Sequence, residues 1–260
     1  MDMGLKGKRV LITGASQGIG AGLARSFAAE GCNLALVARS EQKLRALADE
    51  IKAKHAVDVQ VYARDLTQEG VVEEIARLEP NIDVLVNNAG TIPAGNLWDV
   101  DAKAWREGWK LKVFGYIDMT RQYYPIMKAR GGGVILNNIG MAAEAFDFDY
   151  VAGSSGNAAL AAFTKAVGGK SLRDNIRVAG VNPGPVSTER IEKIFRMRSQ
   201  VQFGDESHVR ELSSHLPLGR PATVEEISEL FVFLASKHSG YTSGVVFTVD
   251  GGISSAKSII

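Results

Sequence analysis

The chain has very little cysteine and no excess of charge of either sign. Cys32 is the only cysteine among 260 residues, so an intrachain disulfide is excluded and a reducing compartment fits. Lysine and arginine number 30 against 29 aspartate and glutamate residues, a net charge of +1. This balance gives no support for nucleic acid or an anionic membrane as a partner, and we expect no metal site.

Long apolar runs are missing as well. No stretch approaches the ~20 residues that a membrane-spanning helix needs, and residues 1–7 lack the basic-then-apolar pattern of a secretion signal. Internal repeats, low-complexity tracts and linkers are also absent. We therefore expect a cytoplasmic protein that folds as a single domain over residues 1–260, with 45% hydrophobic residues to fill its core.

The chain does contain a regular alternation of apolar strands and helical segments. Buried strands rich in Val, Ile and Leu are predicted at 8–13, 33–38, 58–62, 82–87, 134–138, 176–181 and 245–249. Helices are predicted at 18–30, 41–54, 68–78, 101–129, 151–169 and 223–236. This order predicts an α/β fold, a Rossmann-type doubly wound parallel sheet of seven strands. Ligands of such sheets bind at the carboxyl ends of the strands.

Three glycines follow the first predicted strand and lead into a helix. Gly14 permits a tight turn, Gly18 lets the backbone approach a pyrophosphate, and Gly20 allows close packing of helix on strand. The helix N-terminus then offers free N–H groups and the positive end of a dipole. Strand, glycine turn and helix together favour a bound nucleotide over an ordinary βα turn.

One long segment, 187–216, interrupts the alternation and is predicted as a substrate lid. Within it, 188–198 places Ile191, Ile194, Phe195 and Met197 on one side and Arg190, Lys193, Arg196 and Arg198 on another. An amphipathic helix with a solvated basic face is the simpler interpretation. The alternative is a lid that attracts an anionic substrate such as a carboxylate or an acyl-thioester.

Several motifs occur in a characteristic order along the chain. They are 13–20 (Thr-Gly-Ala-Ser-Gln-Gly-Ile-Gly), Asp65, Asn87-Asn-Ala-Gly90, Asn182-Pro-Gly184, Gly219-Arg-Pro and Val249-Asp-Gly-Gly252. Together they closely resemble the short-chain dehydrogenase/reductase family over essentially the whole chain.

The resemblance implies a set of cofactor-binding positions. Those expected at the pyrophosphate and the nearby ribose are Gly14, Ser16, Gly18, Ile19 and Gly20. Those expected at the adenine are Asp65 and Leu66, and those at the ribose and nicotinamide wall are Asn87, Ala89 and Gly90. Those expected at the nicotinamide end are Pro183, Gly184, Val186 and Thr188.

The end of the second predicted strand indicates which dinucleotide is bound. A cofactor without a 2′-phosphate is usually held there by an acidic side chain, but this chain has Ala38 followed by Arg39. A guanidinium pairs well with a 2′-phosphate, whereas Ala38 offers nothing to a free hydroxyl. We therefore predict NADP over NAD.

The positions where the family carries its Asn, Ser, Tyr and Lys are all altered. The resemblance places Lys112 at the Asn, Gly140 at the Ser, Gly153 at the Tyr and Asn157 at the Lys. Shifting the register does not help, because the fourth residue after Tyr150 is Ser154. The two glycines are expected to open room for a bulkier substrate beside the nicotinamide.

Two hypotheses follow. In the first, the chain is an NADP(H)-binding oxidoreductase for a carbonyl or alcohol substrate with a rebuilt site, in which Tyr150 and Lys112 replace the missing groups. Lowering a phenol pKa from ~10 toward ~7 needs about 4 kcal/mol of preference for phenolate, which a nearby cation supplies and the neutral Asn157 does not. Further candidates for this site are Ser154 or Ser155 as donors and Glu144, Asp147 or Asp149 as acid or base.

In the second hypothesis, the chain binds NADP without turnover, as a pseudoenzyme or as the partner subunit of an active relative. Positioned acid and base groups typically contribute ~10²–10⁴ in rate, so losing all of them would nearly silence carbonyl reduction. The cofactor-binding motifs are intact, and this is compatible with both hypotheses.

The long predicted helices 101–129 and 151–169 carry Trp105, Trp109, Phe114 and an alanine-rich stretch at 158–162. Small residues let helices approach closely, and members of the family commonly pair these helices across a dimer axis. We expect a homodimer or homotetramer built through them.

Overall fold

The strands form one parallel sheet in the part of the chain that the computed structural model describes, residues 1–205 and 207–256 without the side chain of Val201. They are β1 (Arg9–Thr13), β2 (Asn33–Ala38), β3 (Val59–Ala63), β4 (Val84–Asn87), β5 (Gly133–Asn138), β6 (Ile176–Pro183) and β7 (Val245–Val249). Their order in the sheet is β3-β2-β1-β4-β5-β6-β7. The predicted Rossmann-type doubly wound sheet of seven strands is confirmed.

Helices cover both faces of this sheet. They are α1 (Gly18–Ala29), α2 (Glu41–Lys54), α3 (Val71–Leu78), α4 (Ala102–Trp109), α5 (Gly115–Ala129), α6 (Val151–Ser171), α7 (Glu189–Phe203), α8 (Val209–Ser214) and α9 (Val224–Ala235). None of the helices within the described residues combines the length and apolar character needed to cross a membrane.

The core has two layers because the strands are apolar on both faces. On one face, residues of α1, α2 and α9 such as Phe27 and Phe231 pack against alternate residues of β1 and β2. On the other face, Tyr123 and Met127 of α5 and Ile75 of α3 pack against the intervening residues. Central parallel strands buried in this way read as continuous apolar runs, which is why the sequence located them well.

The predicted helix 101–129 is interrupted. It comprises α4, a π-helical turn at Lys110–Phe114, and α5. Such turns insert a residue into the helical hydrogen-bonding pattern and so redirect the side chains they carry, frequently at functional sites. The predicted helix 68–78 also begins later, at Val71, because Gly70 adopts φ +78° immediately before it.

The segment predicted as a lid contains two helices, α7 and α8; Glu206 between them and residues 257–260 lie outside the described residues. On α7 the predicted apolar side is only partly correct. Phe195 is buried, whereas Met197 is exposed to solvent.

The aromatic residues expected at a subunit interface have different locations. Trp105 and Trp109 pack inward beside Ile92 and Ala152, and the Trp109 Nε1–H donates to the Ala152 carbonyl at 2.9 Å. Phe114 is exposed. The two tryptophans are thus half-buried within the chain, and assembly into a dimer or tetramer through these helices stays a prediction.

Two adjacent glycines of α6 provide a test of the packing between this helix and β7. A Cβ on Gly168 would lie 2.3 Å from Gly244 N and 2.8 Å from Val178 O, whereas a Cβ on Gly169 would meet nothing within 4 Å. We expect Gly168→Ala to lower the free energy of unfolding by about 1–3 kcal/mol through overpacking. Gly169→Ala should raise it by about 1 kcal/mol, because alanine is the better helix former.

Urea denaturation of the two variants beside the parent protein measures both effects. Equal changes in the two variants would contradict the packing of α6 against the loop that precedes β7.

Candidate active site

The glycine turn after β1 is packed so closely that side chains have no room. A Cβ on Gly14 would lie 2.7 Å from Ala89 Cα, and one on Gly20 would lie 2.1 Å from Gly14 O. Gly14 and Gly18 adopt φ +66° and +55°, in the left-handed region that favours glycine. The Thr188 methyl lies 3.4 Å from where a Cβ on Gly18 would be, so Thr188 and the turn, both predicted at the cofactor, lie side by side.

The N-terminus of α1 is open to a ligand. Its N-cap residue, Gln17, makes no side-chain capping bond, whereas the side chains of Ser40, Asp101 and Thr223 cap α2, α4 and α9. The first-turn N–H groups of α1 are therefore available to an anion. Glycines without room for a Cβ, followed by an uncapped helix start, fit the pyrophosphate of a dinucleotide.

Gln17 has a different partner, which the sequence did not indicate. Its Oε1 accepts a hydrogen bond from Lys43 Nζ at 2.8 Å. Arg39 is exposed at the end of β2, just before α2. A second cation, Lys43, thus comes close to the glycine turn on the side of β2.

Asp65 and Leu66 follow β3 on the same edge of the sheet. Burial acts to raise the pKa of Asp65, but hydrogen bonds from the Thr67 N–H and hydroxyl, with Arg39 and Lys110 nearby, lower that pKa below its ordinary value. Asp65 is therefore a fixed carboxylate. The Leu66 side chain is buried in the core, and the contact of Asp65 and Leu66 with the adenine stays a prediction.

Asn87 was predicted at the ribose and nicotinamide wall, but its side chain is fully buried. The Asn87 amide donates to Asn137 Oδ1 at 2.9 Å and to Thr120 Oγ1 at 3.3 Å. Both donors of the Asn87 side chain thus point into the protein, which leaves its backbone to form the predicted ribose and nicotinamide wall; that contact stays a prediction.

Asn88, which the prediction passed over, organises the cleft instead. Its Nδ2 donates to Thr13 O at 2.9 Å and to Gly14 O at 3.2 Å, and its Oδ1 accepts from Asn138 Nδ2 at 2.7 Å. One side chain thus joins the ends of β1, β4 and β5. The paired asparagines at 87–88 and 137–138 were the available signal, since amides at strand ends bond across strands.

The segment after β6 closes the nicotinamide end of the predicted cleft. Pro183 is buried at the end of β6, and the Gly184 N–H donates to Val249 O at 2.9 Å. Val186 pairs with Ala222 in an isolated parallel bridge. These contacts fix the backbone that leads to Thr188.

Lys112 lies in the π-helical turn and reaches across the cleft. Its stem packs on Gly90, where a Cβ would lie 2.8 Å from Lys112 Cδ, and its Nζ donates to the Ile139 carbonyl. Burial of the ammonium, with the positive charge of Arg190 adding to it, lowers the pKa of Lys112 to about 7. The side chain is thus poised to exchange a proton near neutrality.

Tyr150 fills the place left by Gly153. A Cβ on Gly153 would lie 1.9 Å from Tyr150 Cζ and 2.0 Å from Cε1, so the phenol ring lies directly on the glycine. Tyr150 is the N-cap residue of α6, with φ −141° and ψ 41°. Within the described residues, no hydrogen bond links its hydroxyl to Lys112, so the predicted Tyr150–Lys112 pairing is not made.

Gly140 and Asn157 are also in contact. Gly140 has φ +140°, and the Asn157 Nδ2 lies 3.0 Å from where a Cβ on Gly140 would be. Asn157 is only 3% exposed, and in the described part of the chain its Oδ1 has no hydrogen-bond partner. The room expected from the two glycines is therefore taken up by Tyr150 and by this amide.

Ser154 serves the loop before α6. Its Oγ accepts from the Asp147 N–H at 3.1 Å, so the structure gives Ser154 a positioning role instead of the predicted contact with a carbonyl. Ser155 Oγ donates to Val151 O at 2.8 Å. Of the spare carboxylates, Glu144 accepts from Thr248 Oγ1 at 2.8 Å and Asp147 from the Asp149 N–H at 2.9 Å.

Comparison with known proteins identifies the family to which this fold belongs. The sequence profile described as Enoyl-(Acyl carrier protein) reductase matches residues 14–254. Oxidoreductase UcpA of Salmonella typhimurium (strain LT2) is 33% identical over 259 residues, covering 98% of this chain and 97% of UcpA. The chain belongs to the short-chain dehydrogenase/reductase family.

Solved structures of the family superimpose closely. L-sorbose reductase from Gluconobacter frateurii, complexed with NADPH and L-sorbose, has a TM-score of 0.90 and 34% identity and covers 100% of both chains. A point variant of actinorhodin polyketide ketoreductase with NADPH has a TM-score of 0.89 and 25% identity, covering 96% of this chain and 98% of its own.

The contact between Tyr150 and Gly153 distinguishes this site from the pattern that the family implies, and it can be tested. Gly153→Ala must displace the ring, so we expect a loss of stability that disappears in a Tyr150→Ala background. A coupling of about 1–3 kcal/mol is expected for such a direct contact. Urea denaturation of the four proteins in this cycle measures it.

Gly169→Ala on the same helix is the matched control, since it should show no coupling to Tyr150. Equal costs of Gly153→Ala in both backgrounds would mean that the ring does not lie on the glycine.

Proposed function

We propose that this chain is an NADP(H)-dependent oxidoreductase that interconverts a carbonyl and an alcohol, with Lys112 as the proton-handling group. The observation that carries the proposal is the position of the Lys112 ammonium. It is held at the Ile139 carbonyl, at the carboxyl end of β5, with its stem on Gly90. This is the edge of the sheet where ligands of doubly wound folds bind.

The relatives support the redox part of this proposal. UcpA is named an oxidoreductase, and L-sorbose reductase and the polyketide ketoreductase are complexed with NADPH. These names do not favour the alternative of a silent NADP-binding protein. A small-molecule substrate fits the same relatives.

In this proposal, bound NADPH supplies the hydride that adds to the carbonyl carbon. The Lys112 ammonium donates the proton that the carbonyl oxygen takes up, and the neutral amine accepts it in the reverse direction. Asn157 lies beside Gly140 in the same wall, with its Oδ1 buried and without a hydrogen-bond partner among the described residues. Tyr150 closes the wall of the pocket over Gly153.

In the pattern that the family implies, an Asn stands at residue 112 and a Lys at residue 157. In this chain the two side-chain types are exchanged, as Lys112 and Asn157. The amide is on α6 and the ammonium is on the π-helical turn, so the positive charge approaches from the opposite side. We propose that this transposition preserves a cation at the site after the loss of the usual lysine.

The segment 187–216 remains a proposed lid, and an anionic group on the substrate is part of that proposal. Arg190 in the first turn of α7 is close enough for its charge to lower the pKa of Lys112. A carboxylate bound between these two cations would relieve their repulsion.

The pH dependence of turnover tests the role of Lys112. With its pKa near 7, Lys112 loses its proton as the pH rises through about 7, so carbonyl reduction should slow and alcohol oxidation should speed up across that pH. Lys112→Met should remove this inflection and lower the rate by about 10²–10⁴. Steady-state rates with NADPH and with NADP⁺ between pH 5.5 and 9 measure both effects.

Lys110→Met, an exposed neighbour in the same turn, is the control and should keep the profile of the parent protein. An unchanged inflection in Lys112→Met would exclude Lys112 as the proton donor.

We further propose that Arg39 and Lys43 together bind the 2′-phosphate of NADP(H). Arg39 is exposed at the end of β2, and Lys43 Nζ is held 2.8 Å from Gln17 Oε1 at the glycine turn. Both cations thus follow the end of β2, and a phosphate bound there gains charge-assisted hydrogen bonds that a free hydroxyl cannot make.

The test is the change in affinity for two cofactors. Arg39→Met and Lys43→Met should each weaken NADPH binding by about tenfold and leave NADH binding unchanged. Quenching of tryptophan fluorescence or calorimetric titration gives both constants. Lys52→Met, at the far end of α2, is the control, and equal losses for both cofactors would refute the assignment.

A further inference from the structure

Four large apolar side chains are exposed together on the two loops that follow β4 and β5. We call Leu97, Trp98, Phe146 and Phe148 the aromatic rim. Trp98 is 78% exposed and Phe148 is 62% exposed, yet their ring centroids lie 6.2 Å apart with a tilt of 54°. Exposing several such side chains in one place is costly in water and commonly marks a binding surface.

The backbone under the aromatic rim is held in place. Asn96 Oδ1 accepts from the Trp98 N–H at 2.9 Å and from the Asp99 N–H at 3.1 Å, which fixes the turn that carries Trp98. On the other loop, Asp147 bonds to Ser154 Oγ and to the Asp149 N–H. The rim is therefore presented by ordered turns and not by loosely attached loop tips.

The aromatic rim is continuous with the candidate active site. The Gly95 N–H donates to Asp149 O at 2.7 Å, and Gly95 pairs with Tyr150 in a parallel bridge. Tyr150 in turn lies on Gly153 at the start of α6. The loops that carry Trp98 and Phe148 are thus joined to each other beside Tyr150, which lines the candidate site.

We propose that the aromatic rim binds the apolar, ring-bearing part of a carbonyl substrate whose reacting group lies at Lys112. The inference rests on the proposed function, since it names the substrate class of that same site. Edge and face contacts with Trp98 and Phe148 stabilise an aromatic or fused-ring body. A small polar substrate gains nothing from them.

Two methyl ketones that share a reacting group but differ in their apolar part show how much the aromatic rim contributes to binding and to kcat/KM. The probes are 2-acetylnaphthalene, which carries a fused-ring body, and butanone, which does not. Equilibrium dialysis measures the binding of 2-acetylnaphthalene without any turnover, and NADPH oxidation measures kcat/KM for both ketones. The proteins compared are the parent, Trp98→Ala/Phe148→Ala, and Tyr241→Ala, which removes a still more exposed aromatic elsewhere.

We expect Trp98→Ala/Phe148→Ala to bind 2-acetylnaphthalene about tenfold more weakly than the parent protein and Tyr241→Ala. Its kcat/KM should fall by a similar factor for that ketone and stay unchanged for butanone. Because the replaced side chains are exposed, the fold should be retained, which circular dichroism checks. Phe146→Ala, a second variant, should show a smaller loss in the same direction.

The outcomes distinguish the rim from the proposed function. Rim-dependent binding without NADPH oxidation would support the rim and contradict the reductase. NADPH oxidation with equal binding in all variants would support the reductase and overturn the rim. A change in sedimentation coefficient on Trp98→Ala/Phe148→Ala, with binding unchanged, would show that the rim is an interface between copies of the chain, which also overturns the proposal.

Discussion

Hydrogen bonds between the end of β1 and the segment after β4 hold the candidate site together. The Thr13 hydroxyl accepts from the backbone N–H groups of Asn88 and Ala89 at 2.9 and 3.0 Å, and the Asn88 amide donates back to Thr13 O and Gly14 O. These strands are neighbours where the chain order reverses in the sheet, the point at which doubly wound folds open a crevice. The glycine turn and Gly90 both take their positions from this junction.

The same junction explains why a lysine can occupy the middle of the cleft. With no side chain at residue 90, the Lys112 stem lies against the backbone of Gly90 and its ammonium reaches the Ile139 carbonyl. The π-helical turn supplies the required direction, because it redirects residue 112 relative to a continuous helix. One backbone framework can therefore hold a lysine in the cleft at residue 112, as the proposed function requires.

The strands and the glycine turn could be predicted from the sequence, because the signals for them lie within short stretches of the chain. Buried parallel strands are continuous apolar runs, and a glycine without room for a Cβ marks a close approach. Other contacts of the site depend on tertiary structure and could not be predicted from motif spacing. Asn87 and Asn88 are chemically identical neighbours, yet the Asn87 amide bonds within the core whereas the Asn88 amide joins the ends of β1, β4 and β5. Trp109 turned inward because α6 offers a carbonyl to its indole.

Tyr150 lies between the inner part of the candidate site, at Gly153, and the loops that carry the aromatic rim. A glycine at residue 153 was expected to enlarge the pocket, but an empty space beside a half-buried aromatic does not persist when the ring can fold into it. Tyr150 lies on Gly153, whereas Phe148 and Trp98 are exposed and lie in contact with each other. Under the proposed function, selectivity would arise at the mouth of the cleft, from apolar contacts that small polar molecules cannot make, while Lys112 would handle the proton deeper in the cleft.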